Sequence, residues 1–282
     1  MPEQPQDADE LEFLAAYDAT LYPHPSVAVD VVLLTVADGR LQTLLLRRAG
    51  QPGKDRWALP GGFVAMNESL DTAAARILAT KAGLNGVFTE QLYTFGEPGR
   101  DPRTRVISVV YYALVEPRHL ERAVAERDDR RLALATVEVE ANGHVRSVRA
   151  LGANGALLPF AFDHGAILAA AVERIRGKLG YAPIGFELLP DTFTLLDLRH
   201  VHEAILGRPL NKDSFRRKAL DGGLVEATGD HATGLSHRPP ELYRFANPRE
   251  AGRGTDSTMK ANETLRGPRP PTQHGNHKGV TP

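Results

Sequence analysis

The stretch from Gly61 to Leu84 reads GGFVAMNESLDTAAARILATKAGL and constrains this chain more than any other. Two glycines open it, which suits a tight turn or a close backbone approach. Glu68 and Arg76 follow at fixed intervals, and Gly83 stands where a helix would end. The spacing describes a loop that runs into a helix. The helix in its middle carries almost no acid.

Strand-like segments surround this unit. SVAVDVVLLTV (26–36) is β-branched and mostly apolar, as a strand buried on both faces would be. ADGR makes a turn, and LQTLLLRRA (41–49) is the return strand of a hairpin. RVISVVYYALV (105–115), LALATVEVE (132–140) and VRSVRAL (145–151) are further strands. DHGAILAAAVERIRGKLG (163–180) is an amphipathic helix, with Ile167, Leu168, Ala171, Val172, Ile175 and Leu179 on one face and Gly180 at its end. A segment at 9–20 has Leu11, Leu14, Ala15 and Tyr17 on roughly one helical side. This order predicts a mixed α/β sheet domain.

Composition narrows the function classes. The net charge of −1 gives no global field for nucleic acid, so any DNA-binding surface must be a local patch. The chain has no cysteine, which excludes disulfides, zinc–thiolate sites and thiol nucleophiles and fits a reducing cytoplasm. The acidic start lacks a signal-peptide pattern, and no apolar run is long enough to span a bilayer.

In register, Gly62, Glu68, Arg76, Leu78, Gly83 and Leu84 resemble the signature of the Nudix family. That resemblance places metal-binding glutamates at 77, 80 and 81, where this chain has Ile77, Thr80 and Lys81. The three positions are spaced to share one helical face. Hard cations need oxygen ligands, preferably anionic. Isoleucine offers none, threonine only a neutral hydroxyl, and lysine repels the ion. The expectation is therefore no catalytic residue, no metal and no required cofactor. Glu68 is expected to pair with Arg76 or to shape the loop. A retained binding pocket is expected instead, using Arg47, Arg48, Trp57, Gly61, Gly62, Arg100, Asp101, Arg103 and Arg105. Arginines bind diphosphate oxygens in pairs, and an aromatic ring can stack on a base or ribose.

The character changes after residue 182. FTLLDLRHVHEAILG (193–207) is a helix with Thr194 as N-cap, and NKDSFRRKALDGG (211–223) is a second, basic helix. LVEATG to PPELYRFA (224–246) reads as two strands around a polar loop. This is the order of a winged helix-turn-helix. Its expected DNA-binding residues are Thr194, Asn211, Lys212, Ser214, Arg216, Arg217 and Lys218, with Arg238 on the wing. Phe215, Ala219 and Leu220 are expected to face inward. His200 and His202, two apart on a helix, point to different faces and are ordinary histidines.

Taken together, residues 10–246 resemble the NrtR family of Nudix-related transcriptional regulators. The resemblance rests on YPHPSVAVDVVLL, WALPGGFV, PGRDPRTRVISVVYYALV, LPFAFDHGAILAAAVERIRGKLGY, LLPDTFTLLDLRHVHEAILG, LNKDSFRRKAL and RPPELYRF. It implies a cytoplasmic homodimer and a repressor of NAD-metabolism genes. ADP-ribose in the Nudix-like half would release double-stranded operator DNA from the winged half. The expected layout is a flexible start (1–9), an effector domain of Nudix fold (10–182), a winged helix-turn-helix domain (183–246) and a disordered tail (247–282). Two alternatives stay open: a hydrolase of ADP-ribose or a related nucleoside diphosphate, and a regulator of the same architecture answering to a sugar-catabolism effector.

Overall fold

The computed structural model describes residues 8–126, 131–179, 184–223, 225–232 and 239–246. Its central strand is β1 (Ser26–Ala37), which pairs antiparallel with β2 (Arg40–Arg47) and parallel with β6 (Val106–Leu114). Asp38 and Gly39, between β1 and β2, have φ of 51 and 67 degrees. Two positive φ values in succession suit a two-residue hairpin turn, and Asp-Gly adopts them readily. β5 (Glu90–Phe95) lies outside β6, while β7 (Leu132–Asn142) and β8 (His144–Leu151) continue beyond β2. The order is β5-β6-β1-β2-β7-β8. Short strands β3 (Trp57–Ala58) and β4 (Gly61–Phe63) pair with β2 and β1.

Both faces of the sheet are covered, which is why β1 is apolar almost throughout. Val29, Val31 and Leu33 pack into the cluster that holds α2 (Leu70–Ile77) and α3 (Pro117–Ala125). Val32, Leu34 and Val36 pack on the other face against α4 (His164–Lys178). All six residues expected on the apolar face of α4 are buried. Its expected end at Gly180, and the tail from 247, lie outside the described residues.

Serine 69 caps α2 by accepting from the Thr72 N–H. The α-helix then widens into a π-turn over Leu78–Ala82, and Gly83 ends it at a φ of 71 degrees. This corrects the expectation of one shared face for 77, 80 and 81. Ile77 is fully buried, whereas Thr80 and Lys81 are exposed. The wider turn breaks the 3.6-residue register on which that expectation rested. At the N-terminus, α1 (Ala8–Ala16) is helical as expected, but no face of it is buried.

The second half comprises α5 (Leu195–Leu206), α6 (Lys212–Asp221), β9 (Val225–His231) and β10 (Glu241–Phe245). Its core is Phe193, Leu198, Val225, Tyr243 and Phe245, with Phe215 and Ala219 packed against them. Phe193 exchanges two backbone hydrogen bonds with Tyr243, of 2.9 and 2.8 Å, which anchors the start of α5 to the wing. The opposite side of α5 faces the first half. Val201 and Ile205 belong to the same buried cluster as Ile175 and Leu179 of the α4 region. Burial of side chains of this size contributes about 1.5–3 kcal/mol each. The two halves therefore share one core through α5.

Candidate functional site: an anion pocket and a basic recognition helix

A cavity of about 210 Å³ opens at the end of β1, on the α4 side of the sheet. Arg48, Gly61, Gly62, Arg100, Asp101 and Arg103 line it, all six expected from the sequence. Gly61 is there for a steric reason: a Cβ on it would stand 1.9 Å from Asp30 Oδ1. Asp30 is the one acid inside β1, buried beside the cavity, and its Oδ2 accepts from Ser108 Oγ at 2.6 Å.

The loop 96–105 brings in the arginines. Arg100 is nearly sealed from solvent and grips Asp163 with two parallel hydrogen bonds, Nε to Oδ2 at 2.8 Å and Nη2 to Oδ1 at 2.7 Å. Its Nη2 also lies 3.8 Å from Asp30 Oδ2. Arg103 is bidentate to Asp101, at 3.0 and 2.7 Å, with its guanidinium over the Phe63 ring at 5.4 Å. Those bonds hold the Asp101 carboxyl below the usual range and raise Arg103. Arg48 donates to the Pro52 carbonyl at 2.8 Å and lies 4.7 Å from the Phe162 ring centroid. Burial, and then the charge of Arg103, lower its pKa.

His164, the first residue of α4, closes the cavity from behind. Its Nδ1 accepts the Leu59 N–H at 2.8 Å, which assigns the ring proton to Nε2. Burial pushes its pKa down, against the pull of Asp30, which favours the neutral ring. The lining thus holds three guanidiniums and two carboxylates, with a third carboxylate, Asp163, paired to Arg100. Planar donors and two aromatic rings, Phe63 and Phe162, suit a phosphate-bearing ligand with a flat group attached.

Three expected residues lie outside the cavity lining. Arg47, the last residue of β2, is exposed and pairs with Asp55 at 3.1 Å, while Arg48, just beyond the strand, turns to the cavity. Trp57 packs against the core of the α4 face, and the aromatic rings that line the cavity are Phe63 and Phe162. Arg105 sits at the end of its loop, where its carbonyl accepts the Ser26 N–H. Asp30, Phe63, Phe162, Asp163 and His164 join the site without a motif in the sequence to mark them. An acid inside a strand as apolar as AVDVVLL was the available signal for Asp30.

The positions emptied of glutamate do not line the cavity. Ile77 lies beneath Gly62, its Cδ1 3.8 Å from where a Cβ on Gly62 would be. Thr80 donates its hydroxyl to the Arg76 carbonyl at 2.7 Å. Glu68 pairs with Arg76, as expected, and also accepts the Ala65 N–H at 2.7 Å. These bonds lower its carboxyl to about 2 and use it to fasten the loop to α2. Among the described residues no group of three His, Asp or Glu is placed to hold a metal ion.

A larger cleft, about 570 Å³, lies between the loop after α2, α3 and residues 186–191. Glu116, Glu126, Glu187 and Asp191 line it, and its Arg122 is paired with Glu126. That charge disfavours an anion.

In the second half, α6 presents Lys212, Ser214, Arg216, Arg217 and Lys218 to solvent, all exposed. Phe215 and Ala219, one turn apart, fix it to the core, while Leu220, expected to face inward, is exposed because it lies off that face. Arg217 therefore points furthest from the core. His202 of α5 meets the Phe215 ring edge-on at 5.2 Å, and burial lowers its pKa to about 4. Two expected DNA-contacting residues have local duties. Thr194 and Asp197 form a reciprocal capping box at the start of α5, and Asn211 accepts the Ser214 N–H to cap α6. The wing residue Arg238 lies outside the described residues.

Residues 24–149 match the NUDIX domain model, and residues 185–245 match the model of the NrtR DNA-binding winged helix domain. An ADPR responsive transcriptional repressor of Acinetobacter baylyi is 35% identical over 241 residues, 85% of this chain and 89% of the relative. The chain belongs to the NrtR family. Its fold agrees with the crystal structure of Shewanella oneidensis NrtR complexed with a 27mer DNA, at 34% identity and a TM-score of 0.63 over 78% of this chain and 93% of that one. An ADP-ribose pyrophosphatase of Methanocaldococcus jannaschii is 40% identical over 91 residues, 32% of this chain and 52% of that protein. The chain thus has the NrtR plan, a Nudix domain followed by a winged helix. No helix among the described residues is long and apolar enough to cross a membrane.

Proposed function

We propose that this chain is a cytoplasmic transcriptional repressor whose Nudix half binds ADP-ribose and whose winged half releases operator DNA in response. The arginine cavity carries the reading. Arg48, Arg100 and Arg103 converge on a space that suits a diphosphate, with Phe63 and Phe162 beside it. The cavity is smaller than a typical pocket for a whole drug-sized ligand, so it seats the diphosphate and one flanking group. ADP-ribose is the part of NAD left when nicotinamide departs, which links the signal to genes of NAD metabolism. A homodimer would offer two copies of α6 to two half-sites of a duplex.

The hydrolase reading draws on the likeness to the pyrophosphatase. It lacks a donor set: Ile77 is core, Glu68 is held by Arg76, and Asp101 by Arg103. Without a metal there is no Lewis acid to activate water. The protein binds ADP-ribose, requires no cofactor and leaves the ligand intact. Fluorescence anisotropy of a labelled operator duplex, titrated with ADP-ribose, tests this. Binding without ligand and loss of anisotropy with it are expected. Unchanged anisotropy at saturating ADP-ribose would remove the effector from the account.

A further inference from the structure

Asp163 sits at the N-cap of α4 yet makes no capping hydrogen bond with its side chain. An N-cap aspartate ordinarily accepts from the first free N–H groups of its helix. Here both oxygens are given to Arg100, at 2.8 and 2.7 Å. Arg100 lines the anion cavity, and the next residue after Asp163, His164, closes it. Arg100 and Asp163 therefore each have a second partner in reach: a ligand phosphate for the arginine, and for the carboxylate the N–H of Gly165, since those of Ala166 and Ile167 already bond the Asp163 carbonyl.

The far end of α4 is tied to the winged half. Arg176 Nε donates to the Ile205 carbonyl at 2.8 Å, in the last turn of α5. Its Nη2 would lie 3.1 Å from a Cβ on Gly207, whose φ of 70 degrees ends that helix. A cation at a helix C-terminus suits both the orphan carbonyls and the helix dipole. From α5, His202 passes the contact to Phe215, the residue that anchors α6. A single chain of contacts thus runs from the cavity to the basic helix.

We propose that the Arg100–Asp163 pair is a latch: a diphosphate ligand takes Arg100, Asp163 turns to cap α4, and Arg176 transmits the resulting shift of α4 to α5 and the recognition helix. This rests on the repressor reading above and names its regulation. A ligand shifts such an equilibrium only through its unequal affinity for the two states, and here that inequality is the exchange of partners at Arg100.

The test uses the full chain, ADP-ribose, and a duplex selected in vitro by the wild-type protein. Arg176→Ala touches neither the cavity nor α6. It should bind ADP-ribose and ligand-free DNA as wild type does, yet need at least about fivefold more ADP-ribose for half-release, the low end of ordinary allosteric coupling. Arg176→Lys, which keeps a cation and one donor, should fall between the two and guards against a folding defect in the alanine variant. Asp163→Asn should bind ADP-ribose more tightly and DNA more weakly even without ligand. Release by Arg176→Ala at the wild-type ligand concentration, or unchanged ligand affinity in Asp163→Asn, overturns the latch alone. Failure of the wild type itself to release DNA overturns the repressor reading and the latch with it.

Discussion

Replacing Glu187 by glutamine should make this protein more stable at alkaline pH and leave it unchanged at acid pH. Glu187 sits in the segment that joins the two halves, partly buried beside Glu90 and Lys178. Burial is the main cause that raises its carboxyl from 4.5 to about 7, with the charge of Glu90 adding to it. Nearby, Glu90 is already held by Lys178, at 2.5 Å, and by the Tyr112 hydroxyl, at 2.8 Å. Lys178, bound to Glu90, therefore offsets the charge of Glu187 only in part. The folded state binds the proton more tightly than the unfolded chain, so stability is greatest below pH 4.5. It falls as the pH rises from there to about 7, beyond which both states are ionised and the loss is complete. One pH unit of difference corresponds to about 1.4 kcal/mol, which sets the full effect at about 3 kcal/mol. Glutamine has similar size and no charge to desolvate. Urea unfolding followed by the fluorescence of Trp57, the only tryptophan, would measure it across pH 4.5 to 8.5. The variant should gain up to about 3 kcal/mol over wild type at pH 8 and nothing near pH 4.5. A difference independent of pH, or a less stable variant at pH 8, would refute the burial argument.

Other outcomes follow from the same structure. His202 has its pKa lowered to about 4, so stability present above pH 6.5 is lost as the pH falls toward 4; His202→Phe should flatten that slope in the same unfolding assay. Gly61→Ala places a methyl group 1.9 Å from Asp30 Oδ1 and should cost about 1–3 kcal/mol of stability, recovered in part by adding Asp30→Ala, as thermal unfolding would report. Arg103→Ala should weaken ADP-ribose binding measured by calorimetry and spare DNA binding. Arg217→Ala should weaken DNA binding, with a salt slope shallower by about 1 and unchanged ligand affinity.

Regular periodicity made most of the fold legible. β1 and α4 are strongly patterned because each is buried along its length, and both formed where the pattern placed them. The order of helix, basic helix and two strands likewise yielded the winged unit, since Thr194, Asn211 and Gly207 mark its helix ends by local chemistry. The π-turn after Ile77 was not legible, because nothing in LATKA announces a change of helical pitch. The cavity was half legible. Its loop 96–105 is dense in arginine, but Phe162, Asp163 and His164 arrive from some sixty residues away through tertiary packing. The choice between Arg47 and Arg48 depends on which face of β2 meets the cavity, and a pair of adjacent arginines does not state that.

The burial of Ile77 and the pairing of Glu68 with Arg76 make the opening loop–helix unit a structural frame under the pocket. A sensor must bind its signal without destroying it. The most direct measurement is therefore a time course of operator occupancy after one addition of ADP-ribose, in the presence of Mg²⁺, at ligand just sufficient for full release. The account predicts that the DNA stays released for hours and the ADP-ribose is recovered intact. Recapture of the DNA as AMP accumulates would contradict it.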